Sequence, residues 1–121
     1  MWFDVSLEQD HLKADLFGRE TAEQTREFLQ ALTAESLKLG CARILISVHA
    51  SRPIFKVEQY HFSAYIKELS ARSSYKIALL GDTDEMRASH EYIETLARQH
   101  GVNIRCLPDE PAAVHWLRSI P

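Results

Sequence analysis

The residues of this chain best able to do chemistry are six histidines, two cysteines and a short polar run near position 50. The histidines, at 11, 49, 61, 90, 100 and 115, form no H-x-H or H-x-x-x-H pair, the spacings that bring two imidazoles to one metal ion. Cys41 and Cys106 lie far apart and outside any C-x-x-C spacing, so neither a zinc site nor a redox motif is expected. They read as buried thiols acting as small hydrophobes. The chain has no G-x-S-x-G elbow, no G-x-x-x-x-G-K-[ST] phosphate loop and no G-x-G-x-x-G. Its four glycines, at 18, 40, 81 and 101, each stand where an element would end. No cofactor and no metal is expected. His49 stands apart from the other histidines because it closes an apolar run, where α/β folds present functional groups. An enzyme built on this chain would use His49 with Asp82 in acid–base work. His61 and His90 read as partly buried helix residues.

The elements that must position these groups alternate between two periods. Trp2 to Leu7 alternates imperfectly and His11 to Phe17 alternates better, with Leu12, Ala14 and Leu16 on one face and Gln9-Asp10 as the turn of a hairpin. After Gly18 the spacing becomes helical, with Ala22, Thr25, Phe28, Leu29, Leu32 and Leu39 on one stripe and Gly40 as the C-terminal stop. Cys41 to Val48 is a nearly continuous aliphatic run, the pattern of a central strand covered on both faces. The loop His49-Ala50-Ser51-Arg52-Pro53 leads to a second helix from about Ile54 to Ala71, rich in aromatics at Phe55, Tyr60, Phe62 and Tyr65. Tyr75 to Leu80 repeats the buried-strand pattern, and Asp82 or Thr83 can cap a third helix that carries Met86, His90, Ile93, Leu96 and Ala97 inward as far as His100. Val102 to Leu107 reads as an edge strand. Pro111 then opens a short helix with Ala113, Trp116, Leu117 and Ile120 facing the core. The last three strands, joined through helices, are expected to be parallel.

Open α/β sheets bind ligands beyond the carboxyl ends of their parallel strands. That rule sets His49, Ser51, Arg52, Asp82 and Thr83 side by side as polar site residues, with Ile54, Phe55 and Tyr60 as an apolar wall. The competing reading is that Asp82 and Thr83 only cap the third helix, that Ser51 caps the second, and that the aromatics only pack. Phe55, Tyr60, Phe62 and Tyr65 cannot all share one side of a helix. Some aromatic surface should therefore face a partner protein, a second copy of the chain or an apolar ligand.

Length and composition bound the rest. With 121 residues, 45% hydrophobic and 26% charged, the chain suits one domain over residues 1–121 with one core. A net charge of −3, with 14 Lys and Arg spread along the chain, argues against duplex nucleic acid as a partner. No apolar run approaches the roughly 20 residues that span a bilayer, and Met1-Trp2-Phe3-Asp4 does not begin a secretory signal. The expected setting is cytoplasmic and not transmembrane.

The order β-β-α-β-α-β-α-β-α resembles the STAS fold of anti-sigma-factor antagonists, a mixed sheet of about five strands covered by about four helices. Two stretches are similar to its SpoIIAA-like branch, which is sometimes described with SEC14-type lipid-binding domains. They are Tyr75-Lys76-Ile77-Ala78-Leu79-Leu80-Gly81-Asp82 and Leu107-Pro108-Asp109-Glu110-Pro111-Ala112-Ala113-Val114-His115-Trp116-Leu117. The resemblance implies a non-catalytic binding or regulatory module that acts through protein–protein contacts of the second helix and the loop before it, with a carrier of a small apolar or lipid-like ligand as the alternative. Phospho-switched members carry an Asp-Ser-Ser/Thr-Gly context after the central strand. Here Ser51 aligns with the phosphoacceptor, but neither that aspartate nor that glycine is present.

Overall fold

The computed structural model describes residues 1–52, 71 and 75–119. Within them the chain forms β1 (Trp2–Glu8), β2 (His11–Phe17), α1 (Ala22–Leu39), β3 (Arg43–His49), β4 (Lys76–Gly81), α2 (Asp84–Gln99), β5 (Asn103–Cys106) and α3 (Glu110–Arg118). The five strands form one mixed sheet in the order β1-β2-β3-β4-β5. β1 runs antiparallel to β2, and β2 to β5 are parallel to one another. Three helices are seen among the described residues. The expected second helix, with Phe55, Tyr60, Phe62 and Tyr65, lies outside them apart from its last position, Ala71, a turn residue.

Local chemistry accounts for the element ends. A two-residue turn joins β1 to β2, with Gln9 at φ 55°. The Thr21 side chain accepts the Gln24 N–H to start α1. At the other end Gly40, at φ 62°, reverses the chain while the Cys41 N–H closes on the Ser36 carbonyl at 3.0 Å. Thr83 and Asp109 cap α2 and α3 in the same way, through Met86 N–H at 3.1 Å and Ala112 N–H at 2.9 Å.

The pleat divides the apolar residues between two layers. On one face Leu12, Ala14, Leu16, Ile44, Ile46, Val48, Ile77, Leu79 and Ile104 pack under Phe28, Leu29 and Leu32 of α1 and Met86, Ile93 and Ala97 of α2. On the other, Leu45 and Ala78 pack under Ala113 and Leu117 of α3. Each fully buried large side chain contributes roughly 1.5–3 kcal/mol relative to exposure. Two ion pairs tie α3 down, Lys13 Nζ to Glu110 at 2.7 Å and Arg118 Nε to Asp10 at 3.5 Å.

Four expectations change in detail. Leu39 keeps the angular position of Leu32 but is 43% exposed, because the last turn of α1 overhangs the strand starts before the chain turns back at Gly40. Ser36 holds the last buried place on that stripe, donating to the Cys41 carbonyl at 2.5 Å and sharing a hydrogen bond with the Tyr75 hydroxyl at 3.1 Å. Both cysteines are half-buried rather than buried, since Cys41 lies in the turn before β3 and Cys106 ends an edge strand. Gly81 does more than end β4. A Cβ there would sit 2.9 Å from Met86 Cγ and 3.3 Å from the Arg87 nitrogen, so its absence lets α2 approach the strand.

Candidate functional site

The carboxyl ends of β2, β3 and β4 lie side by side, as parallel pairing requires. The first two remain laced together beyond the sheet. The Gly18 N–H donates to the His49 carbonyl at 3.1 Å, the Arg19 N–H to Ser51 Oγ at 3.0 Å, and the Arg52 N–H to the Arg19 carbonyl at 2.9 Å. The Arg19 guanidinium returns a bond to the Arg52 carbonyl. Ser51 Oγ also donates to the His49 carbonyl at 2.9 Å, so the hydroxyl both accepts and donates within this lacing. Whether Ser51 caps a following helix lies outside the described residues.

β4 joins the rim through Asp82. Its carboxylate accepts the Ala50 N–H at 2.8 Å and so supports a residue held at φ 47°, in the left-handed region that alanine seldom adopts. Thr83 is the α2 cap. The structure brings Ser51, Arg52, Asp82 and Thr83 to one rim, and assigns the capping role to Thr83 while Asp82 reaches across to Ala50, just past the end of β3.

The ring of His49 turns the other way, onto the sheet face opposite α1 and α2. Residues 15 and 17 of β2 pair in register with 47 and 49 of β3, so their side chains share that face. The His49 ring stacks on Phe17 with centroids 4.5 Å apart and planes 14° apart, and Phe17 meets Trp2 at 4.8 Å. His49 Nε2 lies 3.0 Å from Ser47 Oγ and 3.2 Å from Asp15 Oδ1. No hydrogen bond or ion pair joins His49 to Asp82; each has its own partner. Ser47, His49 and Asp15 have the residue types of a hydrolytic triad, but a nucleophile–base–orienter relay uses both ring nitrogens, one toward the nucleophile and one toward the carboxylate. Here both contacts fall on Nε2. The cluster is a hydrogen-bonded group in which one ring nitrogen is shared between a carboxylate and a hydroxyl.

Beneath the rim lies a second imidazole. His90 of α2 is 3% exposed, and its Nδ1 has no hydrogen-bond partner. Burial pushes its pKa from the ordinary 6.5 down to about 4; the charge of Arg19 acts in the same direction and that of Asp82 against it. Arg19 is itself 4% exposed, a guanidinium folded under the strand ends with the Arg52 carbonyl as an acceptor.

Phe55 and Tyr60 lie outside the described residues. Arg19, Asp15, Phe17, Ser47 and Trp2 belong to the constellation although only the β3 and β4 ends had drawn attention in the sequence. The missed signal was the strand–helix–strand run from β2 through α1 to β3, which by the usual crossover rule already made β2 a parallel neighbour of β3. Among the described residues no three His, Cys, Asp or Glu side chains group to hold a metal ion, and no helix is long and apolar enough to cross a membrane. No family model, curated protein or solved structure matches this chain.

Proposed function

We propose that this chain is a non-catalytic STAS/SpoIIAA-like module that binds a partner protein at the carboxyl ends of β2 to β4, through the loop His49–Arg52 and the segment after it that holds Phe55 and Tyr60. The observation that carries this reading is the lacing of the rim. Ser51, Asp82 and Thr83 commit their polar atoms to backbone groups, which shapes a fixed surface and leaves no activated nucleophile among them. Preorganised surfaces lose less entropy on association, so rigidity there favours recognition. The element order and the sequential mixed sheet support the STAS assignment.

Site-directed photo-crosslinking in extract of the native host tests this. A photoreactive residue at position 52 is expected to capture one protein that also binds the purified chain, whereas the same residue at Gln30, on the outer side of α1, captures none. Arg52→Asp is expected to weaken that binding by about ten-fold or more. Equal capture at both positions, or unchanged affinity of Arg52→Asp, overturns the proposal. A stoichiometric small-molecule mass on the natively sprayed protein would move the reading to the apolar-ligand carrier.

A further inference from the structure

The two edges of the sheet differ in how they are closed. β5 is short, at four residues, and the Cys106 N–H is taken by Glu94 Oε1 at 2.8 Å. β1 has seven residues paired to β2 without interruption from Trp2↔Phe17 to Glu8↔His11, and it contains no proline, glycine, lysine or bulge. Proline, lysine and bulges are among the devices that protect a sheet edge, and of the others β1 has only the charges of Asp4 and Glu8. Among the described residues β1 has β2 as its single strand partner, so alternate N–H and C=O groups along it face outward. The same strand exposes two large apolar side chains near its ends, Trp2 at 60% and Leu7 at 53%.

We propose that β1 is a homodimer edge, pairing antiparallel with β1 of a second copy about a two-fold axis at Val5 to make a continuous ten-stranded sheet. This rests on the edge and not on the rim reading. With the faces of the two sheets matched, residues opposite each other must share parity, since a one-residue slip moves every side chain to the other face. Of the registers nearest the strand centre, an axis at Asp4 sets two carboxylates opposite each other, and an axis at Ser6 sets Asp4 opposite Glu8. An axis at Val5 avoids both clashes. It puts Phe3 opposite Leu7, Val5 opposite Val5, Asp4 opposite Ser6 and Trp2 opposite Glu8. Phe3 already packs edge-on against Phe28 of α1 at 5.4 Å, so Leu7 of the second copy would extend the apolar layer under α1. An isologous pairing of this kind closes at two copies and uses both open edges, which separates it from a filament.

The test is a charge exchange read by sedimentation velocity over a concentration series. The wild-type chain is expected to reach twice its monomer mass at about 100 μM or below, the range of a small interface. Trp2→Glu sets a carboxylate at position 2 opposite Glu8 twice per dimer and is expected to raise the dissociation constant by about ten-fold or more. Trp2→Glu combined with Glu8→Lys converts both repulsions to attractions and is expected to restore the dimer. Position 2 is exposed, so an unchanged thermal midpoint of the diluted chain shows that each variant still folds. A wild-type chain that stays monomeric at about 1 mM, a dimer indifferent to Trp2→Glu, or a double variant that fails to recover overturns the proposal.

Discussion

His90 ties stability to pH at the scale of one residue. In the unfolded chain it takes up a proton near its ordinary 6.5, whereas in the folded chain burial and then the charge of Arg19 hold uptake back to about 4. Between those values the unfolded state binds more protons, so stability falls as pH drops from 6.5 toward 4, is unaffected by this residue well above 6.5, and changes no further on its account below 4. The full swing is roughly 3 kcal/mol. Urea denaturation at pH 7.5 and 4.5 is expected to show a smaller acid loss for His90→Gln than for the wild type, by a substantial part of that amount; equal losses would mean that His90 titrates normally when folded. The sequence placed His90 on the inner stripe of a helix and read it as partly buried, whereas the fold buries it to 3% exposure. Nothing along the chain showed the guanidinium beside it, because Arg19 follows Gly18 in what reads locally as a turn, and the residues it bonds, 51 and 52, come from more than thirty positions away.

At the scale of the element, the seating of α2 on β4 depends on a missing side chain. Met86 is fully buried, so its Cβ and Cγ have no open space to yield when a methyl group appears at Gly81. Gly81→Ala is expected to cost about 1–3 kcal/mol, measurable as a lower denaturant midpoint with unchanged slope. A cost within error of zero would show that α2 can slide outward freely. Thr83→Ala removes the acceptor of the Met86 N–H and is expected to cost about 1 kcal/mol by the same measurement. The cap was legible in the sequence, with Asp82 and Thr83 as its two candidates. The choice between them was not, because Asp82 is drawn off by an amide 32 residues away in sequence. Position 81 read as a strand end for a similar reason, as the closeness of helix to strand is invisible along the chain.

Across the whole molecule, protection should follow the number of covering layers. β3 and β4 are central and carry helices on both faces, with Ile44 and Ile46 toward α1 and α2 and Leu45 and Ala78 toward α3. Their amides are expected to exchange only through global unfolding, whereas β5 exchanges through smaller openings. Native-state hydrogen exchange at increasing urea checks this, and Ile44–Ile46 exchanging faster than Asn103–Cys106 would contradict it.

Readable along the chain alone are the alternation of strands and helices, the stop at Gly40, the candidate cap at Asp82 or Thr83, and the inward faces at Leu12, Ala14 and Leu16 and at Met86, His90 and Ile93. Each of these follows from interactions among neighbouring residues, so a short window of sequence carries it. Tertiary structure decided the rest. It set Asp15 and Ser47 beside His49, turned that ring away from Asp82, folded Arg19 under the strand ends and, among the described residues, left β1 with β2 as its one strand partner. These are consequences of which strands adjoin and in what register, and that is settled by contacts between residues more than thirty positions apart, such as His49 with Asp15 and Ala50 with Asp82.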